Sequence, residues 1–232
     1  MALHLREARR AMQTVDADPD NTEAAIRAIA AMSGNSQQRC FRRFRRTAAG
    51  RDLLMRRPEL YDRMSDADYL LGLPESSLGR AIGEFYAKEE ISAQGLRAAS
   101  DAAGDGHQSR ESDFEWFTRR TRDLHDVFHV LTGYGRDLRG EGAVLAFTVA
   151  QTWHTGLGYL VFRSLKNAGW HSVQGRLIRE AFRRGRRCRW LIDADWETLL
   201  TQPLEKLRVE LGVGPAPVYE PIRSAGAPAL SS

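Results

Sequence analysis

Residues 125 to 141 read HDVFHVLTGYGRDLRGE, and no other stretch constrains the fold as tightly. His125 and His129 are one helical turn apart. At about 100° per residue they lie only about 40° apart on one helix face, so both imidazoles can converge on one ion. Asp126 lies about 100° round from His125, within reach as an edge ligand or as a group that orients a histidine. Glu141 sets the harder condition. On an uninterrupted helix it lies about 24 Å from His125, too far to share a site. For it to join, the chain must turn back, and Gly133, Gly135 and Gly140 supply helix breaks while Asp137 suits a turn. The stretch therefore predicts a helix that closes at Leu131 or Thr132, a loop, and a second helix opening at Glu141. Such a hairpin explains the glycines and the distant glutamate together. The plainer alternative is a pair of surface histidines, with Glu141 merely favouring a helix N-terminus.

A mixed His/carboxylate set suits zinc, iron, manganese or magnesium to differing degrees, and two neutral imidazoles lean towards zinc or iron. The general-base glutamate of HExxH is missing, which argues against a zinc protease.

Helical patterning dominates the rest of the chain, and the predicted class is all-α in a single helical domain. Residues 22 to 33, TEAAIRAIAAMS, carry apolar positions at helical spacing, with Asn21 or Thr22 as the cap. A basic helix is predicted over 37 to 48, a short turn over 51 to 56, and a helix over about 71 to 89 with Ser76 or Ser77 capping. Residues 99 to 112 suit a surface loop, and a helix resumes from about Asp113 to Leu131. Residues 142 to 165 are the most apolar stretch. Its length permits a membrane span of about 20 residues, but Gln151, Thr152 and His154 would be costly there, so one buried central helix is predicted. Further helices are predicted over about 173 to 190 and 196 to 211, before a Pro/Gly-rich tail.

With 232 residues and 42% hydrophobic content, the chain can bury a sizeable core. It divides into an N-terminal helical extension over 1–50, a helical domain over 51–220 and a flexible tail over 221–232. No secretory or transit pattern opens it, so a cytoplasmic protein is the default. Cys40 and Cys188 have no CxxC partner and suit free thiols. Charge is modestly basic at +4 and is carried by 31 arginines against 3 lysines. Arg39, Arg42, Arg43, Arg45 and Arg46 form one block; Arg183, Arg184, Arg186, Arg187 and Arg189 form another. Such blocks can contact nucleic acid, anionic lipid or phosphorylated ligands, or simply line a solvated helix face. No recognised nucleic-acid module accompanies them, so no nucleic-acid partner is expected.

HDVFHVLTGYGRDLRGE resembles the HDxxH-(11 residues)-E signature of the Coq4 family of ubiquinone biosynthesis, with His125, Asp126, His129 and Glu141 at every defined position. RTRDLHD at 120 to 126 spans the arginine-rich approach to that motif; LPESSLGRA at 73 to 81 and DWETLLTQPLEKLRVELGV at 195 to 213 resemble flanking family elements. The similarity covers roughly residues 50 to 220. It implies an all-helical protein associated peripherally with the membrane that carries ubiquinone synthesis. For this chain that means a cytoplasmic protein on a bacterial inner membrane.

The resemblance also implies a divalent metal, zinc first, held by His125, Asp126, His129 and Glu141. It implies action at ring carbon 1 of a polyprenylated 4-hydroxybenzoate precursor, where the carboxylate is lost and, in the oxidative version, replaced by hydroxyl. Arg136 or Arg139 in the loop could then stabilise developing negative charge. Other ubiquinone biosynthesis proteins are implied partners, and a homo-oligomer stays open. The main alternative is a scaffold or lipid-handling subunit, with the apolar 142 to 165 stretch lining a slot for a polyprenyl tail. A weaker one is an HD-type phosphohydrolase, with His107 and Asp193 or Asp195 completing the set. It leaves His129 and Glu141 as coincidences.

Overall fold

The computed structural model describes residues 4–18, 21–89 and 111–222. The loop predicted at 99 to 112 falls mostly outside them, as do His107 and residues 223–232 of the tail. Among the described residues the structure is all-helical, as predicted. The helices are α1 (Leu5–Ala17), α2 (Thr22–Met32), α3 (Ser36–Phe44), α4 (Ala48–Arg56), α5 (Leu60–Ser65), α6 (Ala67–Gly72), α7 (Leu78–Glu89), α8 (Asp113–Thr132), α9 (Leu138–Thr152), α10 (Thr155–Ala168), α11 (Val173–Arg187), α12 (Trp196–Leu199) and α13 (Leu204–Glu210).

Side-chain caps mark most starts. The Asn21 side chain accepts from the Ala24 N–H at 2.9 Å, and Ser77 accepts from the Arg80 N–H at 3.1 Å. Ser112 and Glu115 form a reciprocal capping box at the head of α8. Each such cap is worth about 1 kcal/mol.

Three predicted helices are divided. The 37 to 48 helix stops at Phe44, because Thr47 donates to the Phe44 carbonyl at 2.9 Å and accepts from the Gly50 N–H at 2.9 Å. That cap starts α4 where only a turn was expected. The 142 to 165 helix is two helices. Trp153 takes a left-handed conformation, φ 54°, and His154 caps α10 by accepting from the Leu157 N–H at 3.3 Å. The break also lets α10 meet α2 closely, since a Cβ on Gly156 would lie 2.1 Å from the Ile29 carbonyl oxygen. The 196 to 211 helix is split into α12 and α13 by the segment at Pro203, where the Leu204 N–H is held by the Ser76 carbonyl at 2.8 Å. Among the described residues no helix is long and apolar enough to cross a membrane.

α9 is the central element, with α11 along one side and α8 and α10 against it. Close approach to α11 requires Gly185, where a Cβ would sit 2.7 Å from the Phe147 carbonyl oxygen. Phe128 of α8 meets Phe147 of α9 edge-on at 5.5 Å, and meets Trp196 at 6.2 Å. All three are fully buried. Truncating one such ring to alanine typically costs about 3–5 kcal/mol, so this cluster fixes α8 against α9. α1 and α2 pack beside α10 through a smaller cluster of Met12, Ala28 and Leu160.

Candidate metal centre

The turn between α8 and α9 is held from both sides. α8 ends at Gly133, φ 76°, a conformation that glycine enters without the Cβ penalty. Its last carbonyls, which an isolated helix leaves unpaired, are all satisfied. His129 accepts from the Gly133 N–H, Val130 and Leu131 from Arg208 (2.9 Å each), and Thr132 from Arg184 at 3.1 Å. α9 starts at Asp137, whose carboxylate accepts from the Arg139 and Gly140 N–H groups. Gly140 is needed for contact, since a Cβ there would lie 2.0 Å from the Gly135 carbonyl oxygen and 2.6 Å from the Tyr219 hydroxyl. Glu141 therefore sits in the first turn of α9, rather than at its opening residue, and faces α8.

The hairpin brings His125, His129 and Glu141 together, with one ligand atom of each within 4.8 Å of the others. The two Nε2 atoms are 3.1 Å apart; His125 Nε2 is 3.5 Å and His129 Nε2 3.4 Å from the Glu141 carboxylate. Tetrahedral donors at zinc-like bond lengths of about 2.1 Å stand about 3.4 Å apart, so the three separations suit one shared cation. The His129 tautomer also suits it. Nδ1 lies 2.9 Å from the Tyr134 carbonyl oxygen, which can only accept, so in the neutral ring Nδ1 carries the proton and the Nε2 lone pair faces the site. Phe85 stacks on the His129 ring at 5.6 Å and closes one side. The other side is open: His129 is fully buried, but the His125 and Glu141 side chains keep 27% and 32% of their exposure.

The charges are coupled. Burial disfavours a protonated His129, yet the Glu141 carboxylate, helped by Asp126 and the Tyr134 carbonyl, outweighs it and raises the pKa. Burial likewise disfavours the Glu141 anion, and the two histidines outweigh that, holding its pKa well below the carboxylate range.

Asp126 is not brought into this group. It is buried, and the Tyr86 hydroxyl donates to it at 3.0 Å. Burial, and then the Asp126 charge, push the Tyr86 pKa up, which keeps the phenol protonated as that donor. The angular offset read from the sequence is the reason: the residue after His125 faces α7, not α9. Arg136 stands at the rim, Nε 3.8 Å from Glu141 and partly exposed. Arg139 is turned away, donating to the Glu220 carbonyl at 2.6 Å. Asp195, a candidate of the phosphohydrolase reading, caps α12 and pairs with Arg56.

The supporting partners were largely invisible in the sequence. Tyr86 lies within the helix predicted over about 71 to 89, where its spacing with Leu78, Ile82 and Phe85 marks only an apolar stripe. Tyr219 lies in a segment read as a tail, yet its hydroxyl accepts from the Gly135 N–H and donates to Asp137.

Fold and donor set together define an all-helical protein with a His–His–Glu centre carried on a helix hairpin. The family model described as coenzyme Q (ubiquinone) biosynthesis protein Coq4 matches residues 8–217, and the chain belongs to the Coq4 family. Among curated proteins it is similar to the mitochondrial ubiquinone biosynthesis protein coq4 of Neosartorya fischeri, 30% identical over 178 residues, covering 76% of this chain and 60% of that protein. It is also similar to mitochondrial coq-4 of Neurospora crassa, 28% identical over 176 residues, covering 75% of this chain and 49% of that protein. The matched region thus spans about half to three-fifths of the length of these relatives. A crystal structure from Nostoc punctiforme PCC 73102, described as a candidate ubiquinone biosynthesis protein, shares the fold at TM-score 0.66 and 19% identity, over 92% of this chain and 100% of that one. One expectation is corrected. A cytoplasmic protein on a bacterial inner membrane does not agree with these curated relatives, which are mitochondrial proteins of fungi.

Proposed function

We propose that this chain acts in ubiquinone biosynthesis as a metal-dependent enzyme at ring carbon 1 of a polyprenylated 4-hydroxybenzoate precursor. The ring carboxylate leaves as carbon dioxide and a proton is taken up at ring carbon 1; in the oxidative version a hydroxyl takes its place instead, with two electrons passed to an acceptor such as oxygen. His125, His129 and Glu141 would hold the cation, with zinc first and iron, manganese or magnesium as alternatives. When bound, it would supply Lewis-acid stabilisation of negative charge on the carboxylate or ring oxygen.

The observation that carries this reading is the split of the four motif residues into three converging donors and one withheld carboxylate. Structural zinc sites are closed by four protein ligands, whereas catalytic sites use three and keep a position free. Tyr86 holds Asp126 out of the donor set, and the exposed edges of His125 and Glu141 give a substrate access. His129 is fixed in its tautomer by Tyr134, so the buried wall of the site is preorganised. Arg136 is placed to attract a substrate carboxylate from the rim. Asp126 acts through the charge it presents to His129 rather than as a ligand. Other ubiquinone biosynthesis proteins and a membrane surface are the partners this role calls for.

The test is conversion of a prenylated 4-hydroxybenzoate analogue by purified protein loaded with a defined metal. The reading predicts loss of the ring carboxylate, abolished in Glu141→Ala. It fails if no metal supports turnover while Glu141→Ala retains full cellular function. That second outcome would favour the scaffold role.

A further inference from the structure

The Arg39–Arg46 block has no task in the metal centre, and the fold gives it a shape. Arg39, Arg42, Arg43 and Arg46 line one cavity of about 440 Å³ together with Thr47. Their spacing puts them on one stripe of α3 and its last turn, while Cys40 and Phe44 of the same helix are buried. All four arginines are exposed. Elsewhere the guanidiniums of Arg56, Arg119 and Arg120 are matched by carboxylates. Among the described residues, none of these four makes an ion pair with a carboxylate. Arg43 is instead stacked over the Trp190 ring at 4.1 Å, which orients it without neutralising it.

Like charges one turn apart destabilise a helix, and the α3 C-terminal dipole offsets only part of that repulsion. An anion in the cavity would offset the rest. Thr47 also caps α4, so the positive end of that helix lies at the same rim. Guanidinium forks match phosphate oxygens in pairs, and four of them exceed what a single carboxylate can neutralise. The volume is in the range of small-molecule sites and exceeds one phosphate group.

We infer that the α3–α4 cavity is a binding site for a phosphate-bearing ligand, either a soluble phosphate ester or pyrophosphate, or the phosphate of a lipid headgroup. The inference shares no residue with the metal centre and stands whether or not that centre is catalytic.

Calorimetric titration with pyrophosphate, at constant ionic strength in EDTA so that no metal mediates contact, tests it on the whole chain. Flotation with phosphatidic acid vesicles against phosphatidylcholine vesicles tests the lipid source. The variant is Arg39→Gln/Arg42→Gln, and its control is Arg9→Gln/Arg10→Gln on α1, which removes the same charge from exposed positions. Thermal unfolding without ligand should be unchanged or slightly raised in the cavity variant. At least tenfold weaker pyrophosphate binding in the cavity variant, with the control unaffected, supports a soluble ligand. Loss of phosphatidic acid flotation in the cavity variant alone supports a headgroup. No binding in either arm, or equal loss in both variants, overturns the site.

Discussion

The Tyr219 hydroxyl donates to Asp137 at 2.7 Å, and through that bond the C-terminal segment grips the cap of the helix that carries Glu141. The same hydroxyl accepts from the Gly135 N–H at 2.8 Å, while the Ile222 N–H donates to Asp137 at 3.1 Å. Residues read as a trailing segment are thus part of what holds the His–His–Glu hairpin closed. Tyr219→Phe removes both hydroxyl bonds, leaving the buried Asp137 carboxylate short of one donor and the half-buried Gly135 N–H without its acceptor. A loss of about 1–3 kcal/mol in urea unfolding is expected, with weaker metal binding. Unchanged stability and unchanged affinity would show that the clamp contributes nothing.

Gly140→Ala tests the turn from inside. The new Cβ would collide with the Gly135 carbonyl, which is backbone and cannot step aside, and with the Tyr219 hydroxyl. Destabilisation by about 2–4 kcal/mol is expected despite alanine's better helix propensity. A stabilised variant in thermal unfolding would contradict the described contact.

Arg208→Leu tests the end of α8. Arg208 is buried and serves the Val130 and Leu131 carbonyls, besides an ion pair with Glu205. Leucine fills much of the volume but leaves both carbonyls without their donor. The expected loss is about 2–4 kcal/mol, with hydrogen exchange accelerating first at the C-terminal turn of α8. Uniform exchange across α8 would argue that the end is held by packing alone.

His154 gives the fold an acid-sensitive joint. Burial, and then Arg39, push its pKa down to about 4 from the ordinary 6.5. The unfolded chain therefore takes a proton near pH 6.5 that the native chain refuses until near pH 4. The contribution is complete above the unfolded value and is lost as pH falls through that window. His154→Asn, which keeps a cap acceptor for Leu157, should flatten the slope of stability between pH 7 and pH 4.5 by on the order of 2 kcal/mol. Identical slopes in the two proteins would assign the acid sensitivity to other groups.

The hairpin was legible because its determinants are local. The His125–His129 spacing, the glycine run and Asp137 state a helix, a turn and a cap within seventeen residues. The angular offset of Asp126 was legible as well, but not its partner, since Tyr86 lies forty residues away and looks like a core aromatic. The breaks at Thr47 and Trp153 were missed for opposite reasons. Thr47 is a recognisable cap inside a run of arginines whose spacing continues the helix. Trp153 has no glycine-like signal, and its left-handed backbone stands just before the close approach of α10 to α2 at Gly156. Arg184, Arg208 and Tyr219 reach the hairpin from distant segments, and long-range hydrogen bonds leave no periodic trace.

One shared cation at His125, His129 and Glu141 is the central expectation. The most direct measurement is the metal content of the purified chain, with equilibrium titration of zinc and iron(II), in the wild type and in His129→Ala/Glu141→Ala. One divalent ion per chain, lost from the double variant while its helical circular dichroism persists, is the predicted result. A wild-type chain that takes up neither metal, or a double variant that still binds one ion with undiminished affinity, would contradict it.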